Sequence, residues 1–202
     1  MNIHVDDFIR QLSSKAPVPG GGGASALIGA VGVSLCSMVA NLTSGKEKYA
    51  EYQKDIEAVI RRAQASTDRL INLIAKDAEV FAPLSAAYGI SKDDPQRAAK
   101  LEKALLAASA VPLEILTEVS SVLDIIEELT VKGTRIAISD VGVAASACRS
   151  AMESAALNVF INTKLMKDRK YAAKINEKTW KVLIDGIERC NAVYLKIADE
   201  LR

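Results

Sequence analysis

Residues 46–88 read KEKYAEYQKDIEAVIRRAQASTDRLINLIAKDAEVFAPLSAAY, forty-three residues with no glycine and one proline, Pro83. At 3.6 residues per turn this stretch predicts one helix of about ten turns or more, ending at Gly89. Its inner stripe, Ile56, Ile60, Ala63, Thr67, Leu70, Ile74, Asp77 and Phe81, steps by fours and threes, as a coiled-coil-like seam does. A seam of that length needs other helices against it, so the chain is expected to be all-α, a multihelical bundle of long helices. Asp77 is the one ionisable side chain on the stripe.

Upstream, residues 16–45 run for thirty positions without a charge. The part from Ala24 to Leu42 approaches membrane-spanning length. It holds Gly29, Gly32, Ser25, Ser34, Ser37 and Asn41, and every other long segment is charged and amphipathic. A buried central helix of a soluble bundle is therefore expected rather than a membrane span. Ahead of it, residues 16–23 (APVPGGGG) concentrate two of the five prolines and four of the eleven glycines. That run is expected to be neither regular helix nor central strand. Val5, Phe8, Ile9 and Leu12 mark a short first helix.

Downstream, residues 89–95 form a polar loop in which Asp94 can cap the next helix. That helix is expected over about 96–131, bent or split by Pro112. After a turn at Lys132, Gly133 and Thr134, a further helix is expected to start at the Ser139 and Asp140 cap pair and to reach about Lys167. Its inner stripe is Ala145, Cys148, Met152, Ala155, Val159, Asn162 and Met166. A last helix runs from Arg169 to the end. No stretch carries the alternation of a β-strand. The two small-residue segments should be the central helices of a single domain over residues 1–202, with faces that also pack on another subunit, giving a homodimer.

Counting excludes several chemistries. There are 26 basic and 25 acidic side chains, one histidine, three cysteines and 31 alanines. The net charge of +1 argues against a nucleic-acid binder. His4 alone cannot build a histidine-rich zinc site, and it would be the only base for a Ser-His-Asp triad. Cys36, Cys148 and Cys190 lack CxxC spacing and read as small core residues of a reduced, cytoplasmic protein. No metal is expected. The first residues, MNIHVDDFIRQL, carry no secretory apolar run.

Three features can carry chemistry, each with a plainer reading beside it. The glycine run before a helix exposes backbone N–H groups that attract anions or carbonyl oxygens; equally, it can be a tight turn with positive φ and close packing. Asp77 on an apolar seam is desolvated, which raises its pKa toward general acid–base work; equally, it can be a buried ion pair or turn to solvent. Phe81, one turn on, is a stacking wall or core filler. Asn158 and Asn162, one turn apart, either lock the bundle or read a ligand's donor–acceptor edge. Arg135, Ser139 and Asp140 cluster at one helix start, where ordinary capping is the alternative. Lys46, Lys48 and Tyr49 open the long helix and Lys164 follows the asparagines; these lysines meet an anion or are simply solvated.

Taken together, the motif blocks resemble the cyclodeaminase/cyclohydrolase family. The blocks are KAPVPGGGG at 15–23, LTSGKEKY at 42–49, DAEVF at 77–81, VPL at 111–113, SDVGV at 139–143 and NVFIN at 158–162. They cover nearly the whole chain, in order. Many relatives have serine where this chain has Gly23, so the backbone rather than a hydroxyl is implied there. The family implies a wholly helical subunit, usually a homodimer, acting on one-carbon units carried by tetrahydrofolate, with no permanently bound cofactor.

The resemblance further implies Asp77 as the catalytic carboxylate. It implies substrate contacts from Pro19, Gly20, Gly21, Gly22, Lys46, Tyr49, Phe81, Arg135, Ser139, Asp140, Asn158, Asn162 and Lys164. The expected activity is hydrolysis of the methenyl bridge of 5,10-methenyltetrahydrofolate, a metal-independent attack on a cyclic amidine. The alternatives are ammonia-releasing cyclodeamination of the formimino substrate, and a non-catalytic folate-binding module. At this length the chain is expected to lack the additional formiminotransferase domain of a fused enzyme.

Overall fold

The structure, a computed structural model, describes residues 4–202, so the first three residues of the expected domain lie outside it. It consists of seven α-helices: α1 (Val5–Leu12), α2 (Gly21–Thr43), α3 (Gln53–Tyr88), α4 (Arg97–Ser120), α5 (Leu123–Lys132), α6 (Ile138–Leu165) and α7 (Arg169–Leu201). Two 3-10 segments, Glu47–Tyr52 and Arg135–Ala137, precede α3 and α6. No strand occurs among the described residues. The all-α reading therefore holds.

The centre is the pair α2 and α6, as their small residues predict. α2 packs on α3 and α6, and α6 also packs on α4 and α7. A Cβ on Gly32 would stand 2.8 Å from Cys148 Sγ, and one on Gly29 would stand 2.9 Å from Val119 Cγ2 and 3.5 Å from Ala151 Cβ. Only hydrogen fits where these backbones approach. Because Gly21 meets Asn158, Gly29 meets Ala151 and Gly32 meets Cys148, α2 and α6 run antiparallel. The stripe Ala145, Cys148, Met152, Ala155, Val159 and Met166 is fully buried.

Burial also pushes the Cys36 thiol up to about 12 and that of Cys190 to about 11, so they are unreactive core residues. Two stretches, Gly21–Thr43 and Arg97–Lys132, are long and apolar enough to cross a membrane. Of their most apolar windows, 56% and 50% are buried within the bundle.

Four boundaries differ from expectation. The long helix starts at Gln53 rather than Lys46, because Gly45 turns the chain at φ 75° and Tyr49 leaves helical geometry to bury its ring. The glycine run is not wholly outside a helix, since Gly21, Gly22 and Gly23 form the first turn of α2. Gly45 is the only positive-φ residue described, so these glycines serve close packing rather than a left-handed turn. Pro112 lies inside α4, and the break comes later, at Ser121 and Val122. Ser139 and Asp140 belong to the first turn of α6 rather than capping it; Ala137 takes the cap position.

Within α3, Ile56, Ala63, Leu70 and Ile74 are buried as expected. Ile60, Thr67, Asp77 and Phe81 are half-buried, and Val59, Ser66 and Leu73 join the core instead. The seam thus drifts along the helix, as a straight 3.6-residue helix must against a 3.5-residue repeat.

Candidate active site

At the N-terminal end of α2 a cleft of about 140 Å³ is lined by Pro17, Val18, Gly20, Gly21, Gly22, Asp77, Val80, Phe81, Ala108, Pro112, Asn158, Ile161 and Asn162. Four elements meet there. α2 contributes its first turn, α3 its Asp77 face, α4 the region of its internal proline, and α6 its last turns. Asp77 is the only charged lining residue.

The N–H groups of a helix's first turn have no acceptor within the helix. Here Gly23 N–H donates to Asp77 Oδ2 at 2.9 Å, while those of Gly21 and Gly22 have no partner among the described residues. The carboxylate lies directly against the glycine backbone. A Cβ on Gly22 would overlap Asp77 Oδ1 outright and stand 2.6 Å from Oδ2. The glycines therefore let a carboxylate touch a helix N-terminus, and Asp77 Oδ1 accepts no hydrogen bond from the described residues.

Burial pushes the Asp77 carboxyl above the ordinary carboxylate range, and the Gly23 N–H partly pulls it back. A carboxylate with one oxygen fixed and the other free, beside two unused amide donors, can take a proton and hold a polarised ligand together.

The asparagines come together at this cleft. A Cβ on Gly21 would meet Asn158 Nδ2 at 3.0 Å and Oδ1 at 3.1 Å. Asn158 Nδ2 donates to Ser154 O at 2.8 Å, and Asn162 Nδ2 donates to Asn158 O at 2.9 Å and Ala108 O at 3.0 Å. Pro112 has no N–H for the carbonyl four residues back, which is that of Ala108; Asn162 supplies the missing donor. Both readings of the pair are served: the amide nitrogens lock α6 and α4, and both Oδ1 atoms lack a partner among the described residues. Phe81 walls the cleft and packs on the cluster around Leu84, Leu105 and Met166.

The remaining predicted residues stand elsewhere. Pro19 lines a neighbouring apolar groove with Phe8 and Ile74 rather than the cleft; Pro17 and Val18 of the same motif take its place. Lys164 is exposed at the end of α6 and does not line the cleft.

Lys46, Tyr49, Arg135, Ser139 and Asp140 gather at the opposite end of α2. The 22 steps of 1.5 Å from the first to the last of its 23 residues put that end of α2 about 33 Å from the end that Asp77 touches. It is a built corner: Lys46 Nζ donates to Thr134 Oγ1 at 3.1 Å, and Thr134 N–H donates to the buried Thr43 Oγ1 at 2.8 Å. Arg135 N–H donates to Tyr49 Oη at 3.1 Å, which with nearby Lys48 and Lys46 pulls the phenol below its usual range. Lys48 Nζ lies 5.7 Å from the Tyr49 ring centroid, and the Arg135 guanidinium pairs with Glu200.

The profile of the formiminotransferase-cyclodeaminase family matches residues 4–181. The chain belongs to that family. Over 175 residues it is 41% identical to the methenyltetrahydrofolate cyclohydrolase of Methylorubrum extorquens, covering 85% of this chain and 84% of that one. It is 31% identical to the formimidoyltransferase-cyclodeaminase of Mus musculus, over 85% of this chain but 32% of that longer protein. The solved structure of formiminotetrahydrofolate cyclodeaminase from Thermotoga maritima matches with a TM-score of 0.85 and 26% identity, over 98% of both chains.

The resemblance read from the motif blocks is thus borne out. In this cyclodeaminase-family chain, sequence reasoning missed Pro17, Val18, Val80, Ala108, Pro112 and Ile161 as cleft residues. Val80 was legible as the residue one turn from Asp77, and Ile161 as a neighbour of the asparagines. Ala108 carried no signal, because it contributes through its backbone carbonyl. Among the described residues no three of His, Cys, Asp and Glu come together as metal ligands would.

Proposed function

We propose that the chain is a methenyltetrahydrofolate cyclohydrolase, converting 5,10-methenyltetrahydrofolate and water to 10-formyltetrahydrofolate and a proton. The observation that carries the reading is Asp77: a partly desolvated carboxylate with one oxygen held by Gly23 N–H and the other free in the cleft. The 41% identity to a cyclohydrolase over most of both chains supports this reaction over ammonia release.

The carbon bridging N5 and N10 is an amidinium carbon and already cationic. Asp77 stabilises that cation, then accepts a proton as water forms the new C–O bond. The tetrahedral adduct collapses by breaking its bond to N5, which takes up a proton, leaving the formyl group on N10. Such an electrophile needs no metal-activated water, and no cofactor is resident. The free N–H groups of Gly21 and Gly22 and the Oδ1 atoms of Asn158 and Asn162 match the hydrogen-bonding groups of the pterin, with Phe81 against its face. Gly20 and Pro19 set the approach of the backbone, and the cation for the glutamate tail is Lys46, Arg135 or Lys164.

Lys46, Tyr49, Arg135, Ser139 and Asp140 stay assigned to substrate contact, although one subunit alone holds them at the far end of α2. The whole chain, residues 1–202, acts as one domain in a cytoplasmic homodimer, without a nucleic-acid or membrane partner. The charge-free α2 with exposed Val31, Met38 and Leu42 supports the dimer. Loss of methenyl absorbance without ammonia release tests the activity. Ammonia from the formimino substrate, with the methenyl compound untouched, would assign cyclodeamination instead.

A further inference from the structure

The wall of the Asp77 cleft made by Pro17, Val18 and Gly20 differs from the helical walls in how it is held. α3 is tied to α2 by the Gly23 N–H on Asp77, and α6 to α4 by the Asn162 amide on the Ala108 carbonyl. Residues 4–19 form no such tie. Their hydrogen bonds are local, within α1 and the turn that follows it, and no ion pair joins them to the bundle among the described residues. α1 itself has eight residues, too few to stay helical in water unaided.

One ring holds the segment. Phe8 is 4% exposed and is the only buried residue of α1, while Val5, Ile9 and Leu12 of the same apolar stripe remain exposed. Phe8 lines a groove of about 440 Å³, together with Ile74, Ala75 and Ala78 of α3 and with Val18 and Pro19. Val18 lines both spaces and so parts the groove from the cleft. The cleft, at about 140 Å³, is smaller than the roughly 300–1,000 Å³ of sites that take ligands of a folate's class. A wall must yield. The helical walls are close-packed and bonded, and the room that is needed lies behind the one wall that no polar contact retains.

We infer that residues 4–20 are a movable strap over the cleft: Phe8 anchors it on α3 as a positioning residue, and Val18 retreats into the groove when the cleft takes a folate. The anchor can stay seated while the wall moves, because the free space is bounded by both side chains. Asp77 belongs to α3 and is fixed through Gly23, so the strap governs binding rather than proton transfer. The nature of the ligand rests on the cyclohydrolase reading; the single-anchor strap does not.

Hydrogen exchange of the unliganded protein, read by mass spectrometry, tests the anchor. Docking by one ring should leave the α1 amides exchanging at least about 10-fold faster than those of central α2. Phe8→Ala should speed exchange in α1 by a further factor of about 10 or more and leave α2 unchanged. Equal protection of α1 and α2, or an α1 indifferent to loss of the ring, overturns the strap.

Kinetics with the methenyl substrate test its role at the cleft. Apparent affinity falls with the fraction of molecules whose wall is in place, so Phe8→Ala should raise KM about 10-fold with kcat within about twofold. Phe8→Leu, which keeps an apolar anchor, should return KM to within about threefold of the wild type. Ala75→Leu fills the groove without touching the anchor. It should also raise KM about 10-fold, by denying Val18 its retreat, while α1 keeps its protection. A KM unchanged by both Phe8→Ala and Ala75→Leu, or a loss confined to kcat, overturns the role. Should Phe8→Ala fail to fold, exchange in the wild type and the KM of Ala75→Leu still decide. A wild type that turns over no methenyl compound counts against the cyclohydrolase reading, and exchange in α1 still decides the strap.

Discussion

Asn162 supplies the hydrogen bond that Pro112 withholds: its Nδ2 lies 3.0 Å from the carbonyl of Ala108, the group facing Pro112's missing N–H. The proline interrupts the ladder of α4 without breaking the helix, and a side chain from α6 repairs the gap at the edge of the cleft. The bond holds the α4 wall of the site against α6.

A double-mutant cycle reads this coupling. Asn162→Ala should destabilise the protein by about 1–3 kcal/mol, since it leaves the Ala108 carbonyl without its donor. In a Pro112→Ala background the helix has its own N–H at position 112, so the same change should cost clearly less. Urea unfolding of the four proteins measures the difference. Strictly additive effects would separate Asn162 from the proline.

Gly22→Ala sets local propensity against tertiary contact. In an exposed helix the change would favour folding by about 1 kcal/mol. Here the new Cβ enters the space of the Asp77 carboxylate, 2.6 Å from Oδ2 and overlapping Oδ1. Displacement of the carboxylate by an ångström should lower kcat by about 100-fold, and overpacking should cost about 1–3 kcal/mol. A stabilised and fully active variant would show that the carboxylate needs no such contact.

Asp77 should also cost stability at neutral pH. Its folded-state pKa is raised by burial, so between the unfolded value and the folded one the native state holds more protons than the unfolded chain. Stability therefore falls as pH rises through that window, and the loss persists above it. Asp77→Asn keeps an acceptor for Gly23 N–H without the buried charge. It should melt higher than the wild type at pH 7, and the gain should vanish below about pH 4. A lower melting temperature at pH 7 would mean that the charge is favourably held.

The same shift places the acid limb of the rate profile. A base works only when deprotonated, so kcat should fall as pH drops through a pKa above about 4. The residual activity of Asp77→Asn should lack that limb. An unchanged limb in the variant would assign it to another group.

Much of this was legible before the structure, for reasons visible in single residues. Small residues on a helical period fixed α2 and α6 as the central pair, because only Gly29 and Gly32 permit that approach. The isolated carboxylate on an apolar stripe located Asp77. Local reading failed where tertiary contact decides the conformation. Gly21 to Gly23 read as a loop, yet they form a helical turn against Asp77. Pro112 read as a bend or a split, yet the helix runs on through it and a side chain 50 positions on makes good its lost hydrogen bond. The family resemblance groups Lys46 and Arg135 with Asp77. Sequence order did not reveal that α2 holds the two sets about 33 Å apart.

The central claim is that Asp77 performs the proton transfer in methenyl hydrolysis. Asp77→Asn, purified as a folded protein and assayed by loss of methenyl absorbance at saturating substrate, measures it directly. We predict a fall in kcat of at least about 100-fold, the usual scale of a general base, with substrate still bound. Full turnover by the Asp77→Asn protein would contradict the account.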